Sequence, residues 1–167
     1  MAEESGGLIP PETLAMVGEL LGEPVSAVIT AKESQRYAQP VGDLDPIYFD
    51  EAAAKAAGYR GLVAPPTFVS HVVVQGQPLD RLREDGLFRT GARGPALRVK
   101  RTMFGGEEWD FLEPACVGDT ITAESRMKAI EEKQGGSGPF VLTTRETTYT
   151  NQRGEIVARA RQIGIAR

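Results

Sequence analysis

The ten residues VGDLDPIYFD, at positions 41–50, place an aspartate directly after a glycine, a second aspartate before a proline, and a tyrosine shortly beyond both. A loop of this make-up can hold Asp43 as a general base toward water, with Tyr48 as a proton donor or orienting group. Tyrosine is itself a poor base near neutrality, because its reference pKa is about 10, and the local sequence offers no obvious activator. A second role is open to Asp43, since an aspartate after glycine commonly holds a turn through its own backbone. Asp45 and Pro46 read as turn-makers in either case.

Few other side chains could do chemistry. The single histidine, His71, falls in an apolar stretch and is expected to be a hydrogen-bonded core residue of a helix. One cysteine, Cys116, excludes an internal disulfide, and one cysteine with one histidine is too little for a zinc site. No metal or cofactor is therefore expected. Cys116 reads as a small buried hydrophobe at a turn. The segment ARGPALRVKR gathers Arg93, Arg98, Lys100 and Arg101. It reads either as a solvated strand edge or as a site for the phosphates of a ligand, because clustered cations favour a polyanion. QGGSGP lacks the lysine and helix of a phosphate loop and reads as a flexible hairpin.

A chain of 167 residues suffices for one domain with a real core. Hydrophobic residues at 41% and charged residues at 25% describe a globular chain. A net charge of −4 argues against nonspecific nucleic-acid binding. No apolar run approaches the ~20 residues of a membrane helix, and MAEESGG has no basic, apolar start, so a cytoplasmic location is expected.

The elements that must position the loop follow from pattern and capping. PPETLAMVGELLGE predicts a short amphipathic helix and PVSAVIT a first strand. Thr30 with Glu33 forms a capping box for a helix over Ala31–Gln39 that Pro40 stops. Asp50 caps an alanine-rich helix that Gly58 ends. The stretch LVAPPTFVSHVVVQG predicts a helix from Thr67 to Gln75, buried all round, with Pro65 and Pro66 at its start. From about residue 95 the pattern is one of alternating strands: ALRVKRTMF, TITAESRMKAIEEK, PFVLTTRETTYT and EIVARARQIGIA. Turns are expected at FGGEE, PACVGD, QGGSGP and NQRGE. Trp109 and Phe111 alternate in EEWDFLEP as core or interface residues.

This order predicts an α+β chain, an antiparallel sheet around a long buried central helix. Together with YAQPVGDLDPIYFDEAAAKAAGYRGLVAPPTF and FGGEEWDFLEPACVGDTI, it resembles the hotdog fold, and more narrowly the MaoC-like dehydratase and (R)-specific enoyl-CoA hydratase family, in its N-terminal-type version. The resemblance covers nearly the whole chain and implies residues 1–9 as a flexible N-terminus and 10–167 as one hotdog domain. In active members the loop reads approximately Gly-Asp-x-Asn-Pro-x-His. Gly42, Asp43, Asp45 and Pro46 match or nearly match it, and Tyr48 stands at the histidine. The helix start departs too: Pro65 and Pro66 occupy the place where the family offers a glycine N–H to the thioester enolate, and proline has none to offer.

The resemblance implies an acyl thioester of coenzyme A or acyl carrier protein as substrate and a hotdog dimer as the working unit. Asp43 and Tyr48 are the catalytic candidates, and Pro65, Thr67, Phe68, Val72, Arg98 and Lys100 are the substrate-binding candidates. Phe68 and Val72 could line an acyl channel and would equally be core in any hotdog. With base and oxyanion donor both replaced, the chain is expected to be the binding and supporting subunit of a hydro-lyase whose catalytic Asp–His pair lies on a MaoC-like partner. The alternatives are an active homodimer using Asp43 with Tyr48, and a non-enzymatic acyl-CoA-binding protein. No nucleic-acid or membrane partner is expected.

Overall fold

The computed structural model describes residues 7–74, 80, 84, 94–99 and 101–167. Its elements run α1 (Pro11–Leu14), β1 (Val25–Val28), α2 (Ala31–Ala38), α3 (Glu51–Ala56), α4 (Phe68–Val74), β2 (Thr102–Phe111), β3 (Thr120–Gly135), β4 (Gly138–Thr150) and β5 (Ile156–Ala166). Two single 3-10 turns, Gln39–Val41 and Pro46–Tyr48, sit between α2 and α3. The strands form one antiparallel sheet in the order β1-β3-β4-β5-β2, with α4 packed against β1 and β3. Among the described residues no helix is long and apolar enough to cross a membrane.

The expected caps form. Thr30 Oγ1 accepts from the Glu33 N–H at 3.3 Å and donates to the Glu33 carboxylate at 2.5 Å. Asp50 Oδ1 accepts from the Ala52 N–H at 2.8 Å, and Gly58 leaves α3 with φ +93. These local bonds satisfy first-turn donors that the helices themselves cannot.

The PPETLAMVGELLGE helix shortens to the single turn of α1. Beyond Leu14 the backbone instead joins the edge of β3: the Gly18 N–H donates to Met127 O at 2.7 Å and the Leu21 N–H to Ser125 O at 2.8 Å. Covering an open strand edge outweighs the helical pattern here, and of its apolar side chains only Leu21 becomes buried.

FGGEE is not a turn. It lies within β2, where the register against β5 shifts between Phe104 and Gly106, and Gly106 has φ +151. The paired glycines thus make a β-bulge, which bends the strand without ending it. Residues 96–99, expected to open this strand, precede it without strand pairing.

The described part of α4 is buried on one side only. Phe68, Val69, Val72 and Val73 pack into the main core with Ile29, Ile121, Tyr149 and Val157. Val74 is half exposed, and His71 is exposed rather than in the core, with its ring 5.1 Å from that of Tyr37. The sheet covers one face of the helix, so an apolar sequence does not by itself bury the other.

A second core lies at the far end of the sheet, where Leu21, Met127, Ile130, Val141 and Ala166 are covered by Leu8, Ile9, Met16, Leu97 and Val99. The segment expected to be a flexible N-terminus contributes here from Leu8 onward.

Candidate functional site

The 41–50 loop is built from consecutive backbone locks. Gly42 takes the left-handed conformation (φ +75) that ends the turn after α2, and the Asp43 N–H donates back to Ala38 O at 3.2 Å. Asp45 is the turn-maker expected: its Oδ1 accepts from the Ile47 N–H at 3.0 Å and its carbonyl from the Tyr48 N–H, also at 3.0 Å. Asp43 therefore uses its backbone in the turn and leaves its carboxylate for another partner.

The charge of Asp43 acts on the Tyr48 phenol. Tyr48 is buried in a small core with Ala38 and Val63, and its carbonyl accepts from Gln35 Nε2 at 3.3 Å. Burial first, then the charge and hydrogen bond of Asp43, then the charge of Asp45, push its phenol above the ordinary value of 10. Tyr48 at neutral pH therefore keeps its proton and is no base.

Tyr48 also forms a wall of a cavity of about 210 Å³. The cavity opens between the Ile47–Tyr59 segment, the start of α4 at Ala64, Pro66 and Val69, and the strand ends at Phe111–Ala115 and Val157–Ala158. Apart from the tyrosines and Glu113 its lining is apolar, which suits an aliphatic group. Asp43 is not in the lining.

The proposed binding residues fall in different places. Pro65 is buried beside the cavity. Thr67 is exposed, and its hydroxyl lies 3.1 Å from that of Tyr37. Phe68 and Val72 belong to the main core, and the adjacent Val69 faces the cavity. Arg98 donates from its guanidinium to Gly7 O at 3.0 Å and from its N–H to Leu8 O, also at 3.0 Å, and it takes no part in the cavity. Lys100 and Arg93 lie outside the described residues. At the helix start the N–H groups of Val63, Ala64 and Phe68 are engaged by Ile47, Ala115 and Pro65 carbonyls.

Sequence reasoning missed the cavity residues Tyr59, Val69, Phe111 and Val157, which come from four separate segments. It also missed Asp119, the one fully buried carboxylate among the described residues. Asp119 pairs with Arg60 and with Arg153 at 3.3 Å, and accepts from the Cys116 N–H and Gln152 Nε2, each at 2.9 Å. Burial alone would raise its pKa, but the hydrogen bonds from Cys116, Gln152 and Arg60 outweigh it and hold the carboxyl below its ordinary value. The group ties the loop after α3 and the β4–β5 turn to the start of β3, behind the cavity.

Tyr149 is likewise buried, and its phenol is pushed up to about 12 by burial and by the charge of Glu107. A folded-state pKa above the unfolded value gives stability that is complete below pH 10 and lost as pH rises through the folded value. The chain should therefore lose stability between pH 10 and about 12 through Tyr149, with Tyr48 acting in the same direction above its ordinary value. Tyr149→Phe should remove about 1–2 kcal/mol of that alkaline loss. Thermal melts across this range check it, with phenolate absorbance showing the delayed titration.

Comparison with known proteins bears on this geometry. The family model described as "FAS1-like, dehydratase domain region" matches residues 15–160. A relative from Thermomonospora curvata, named "Probable enoyl-CoA hydratase alpha subunit", is 31% identical over 158 residues, covering 88% of this chain and 48% of its own length. The chain thus spans about half of that relative. Among solved structures, it superposes on a chain of the ChsH1-ChsH2 complex from Mycobacterium tuberculosis with a TM-score of 0.71 at 20% identity, covering 92% of this chain and 90% of that one. The MaoC-like dehydratase from Rhodospirillum rubrum gives a TM-score of 0.59 at 22% identity, with 87% and 91% covered.

Proposed function

The chain belongs to the FAS1-like dehydratase region family and has the hotdog fold, and from that premise we propose that it is the acyl-thioester-binding subunit of an (R)-specific enoyl-thioester hydratase or 3-hydroxyacyl-thioester dehydratase. The catalytic base belongs to a MaoC-like partner. Hydration places a hydroxyl on the β-carbon and a proton on the α-carbon, and dehydration reverses both. Either direction needs a group that exchanges protons near neutrality.

The observation that carries this reading is the Asp43–Tyr48 pair. The phenol, raised first by burial and then by the charge of Asp43, stays protonated, so the residue at the histidine position of the loop supplies no base. The missing proline N–H groups at the start of α4 support the same conclusion. The cavity beside Tyr48 is suited to an acyl group, with coenzyme A or acyl carrier protein as its carrier and no cofactor required. The likeness to a chain of a two-component complex supports a second hotdog chain as partner.

The alternative is an active homodimer in which Asp43 works with Tyr48, and the influence of the Asp43 charge on that phenol is what favours it. The test uses the chain assembled with a MaoC-like partner that carries an Asp–His loop. Asp43→Asn should leave the hydration rate of crotonyl-CoA within about twofold, while Asp→Asn in the partner's loop should lower it by at least ~10². Loss of most activity on Asp43→Asn in the assembly would overturn the assignment.

A further inference from the structure

Resting on the acyl-thioester reading, we propose that the substrate's acyl group carries an oxygen acceptor far from the thioester, and that Arg145 on the inner face of the sheet receives it. The argument begins with alternation along β4. Val141, Thr143, Arg145, Thr147 and Tyr149 share one face, and the burial of Val141 and Tyr149 in the two cores shows that this face looks inward.

The pairing register then places the neighbours. Arg145 stands between Met127 of β3 and Gln162 of β5, with Glu107 of β2 next in the same row. The following row holds Ser125, Thr147, Ala160 and Trp109, with the Ser125 and Thr147 hydroxyls 2.8 Å apart. Beyond it lies the row of Tyr149, Ala158 and Phe111. A polar band therefore crosses the inner face between two apolar cores.

Within this band Arg145 is incompletely satisfied. Its Nη2 donates to Gln162 Oε1, but its Nε is buried and has no hydrogen-bond partner among the described residues. Among the described residues Arg145 forms no ion pair. Glu107 is the carboxylate of the row, exposed on the edge strand β2, and its charge is felt by Tyr149, two rows along β4 from Arg145. A buried donor without an acceptor is destabilising, and in a folded protein it calls for an explanation. A ligand oxygen supplies one, since guanidinium binds carboxylates and other oxygen acceptors strongly and directionally.

The same register sets where Arg145 lies relative to the cavity wall, from which the acyl chain must extend along the sheet to reach it. Phe111 and Ala158 belong to both the cavity wall and the Tyr149 row. Trp109 stacks on Phe111 at 5.4 Å and on Tyr149 at 5.6 Å, extending an aromatic surface from the cavity toward the Arg145 row. Arg145 lies four residues along β4 from Tyr149, or ~13 Å. The substrate class is thus a long acyl thioester with a distal carboxylate, hydroxyl or keto oxygen, in preference to a plain alkyl chain.

The experiment compares calorimetric binding of dodecanoyl-CoA and dodecanedioyl-CoA to the full chain in its native oligomer, for the wild type and for Arg145→Met. The wild type should bind the ω-carboxylated thioester at least ~10-fold more tightly, since a charge-assisted bond exceeds the worth of a neutral one. Arg145→Met should reduce that preference to about onefold while its melting temperature stays level or rises, because the orphaned donor is gone. Binding of both thioesters without preference, or a preference that survives Arg145→Met, overturns the inference and leaves the acyl-thioester reading standing. Binding of neither thioester overturns both.

Discussion

Phe68→Ala is expected to destabilise the chain by about 3–5 kcal/mol, the cost of deleting a buried aromatic and leaving its cavity. Phe68 is completely buried and sits at the junction of α4 with the sheet, among Ile29, Val72, Ile121 and Val157. Its ring also meets that of Tyr37 edge-on at 5.4 Å, so the substitution loosens α2 as well as α4. For a chain of this size the midpoint should fall by about 10 °C or more. Urea unfolding measures the loss directly. The same side chain was a candidate for the acyl channel, and acyl-CoA affinity separates the two roles. Val69→Ala, which alters the cavity wall and also the core, should lower acyl-CoA affinity for a smaller loss of stability than Phe68→Ala when both are compared below their melting points.

Asp119→Ala is expected to cost about 3 kcal/mol. Removing one member of a buried ion pair typically costs about 3–5 kcal/mol, and the lower end applies because Arg60 and Arg153 are 42% and 39% exposed and keep part of their hydration. The Cys116 N–H and the Gln152 amide lose their acceptor at the same time. The pH dependence has a definite sign. The folded-state pKa lies below the ordinary carboxylate value, so this contribution is present above that value and is lost as pH falls through the folded one. Wild type and Asp119→Ala should differ fully at neutral pH and converge in acid. An undiminished difference in strong acid would show that packing, and not the charge, is what Asp119 contributes.

How far the sequence reaches depends on the range of the interaction that decides each element. Thr30, Asp50, Gly42 and Gly58 act on backbone groups a few residues away, and the turns they specify are where local chemistry puts them. The last three strands follow equally well from side-chain alternation, which a sheet with one inner face imposes. Where a distant segment decides, the local pattern misleads. Residues 17–21 carry a helical apolar pattern but bond to the β3 edge more than a hundred positions on. The glycines of FGGEE look like a turn because nothing local shows that β5 continues past them. His71 looks like a core residue because the apolar run around it does not reveal which side the sheet covers.

The site divides in the same way. Asp43, Tyr48 and their turn are readable because they are neighbours in the chain, and the structure adds that Tyr48 is buried and lines the cavity while Asp43 does not. The Asp119 cluster joins positions 60, 119, 152 and 153, each unremarkable where it stands in the sequence. The cavity likewise takes its walls from four segments that only the folded sheet brings together.

The most direct test of the account is hydration of crotonyl-CoA by the purified chain alone, followed at the enoyl-thioester absorbance, with Asp43→Asn and Tyr48→Phe as controls. The account predicts binding of the thioester with no turnover above that of the two variants, because Tyr48, at the histidine position of the loop, holds no base for the α-proton. Turnover by the wild type that both substitutions abolish would contradict it and would make this chain, unaided, the hydratase.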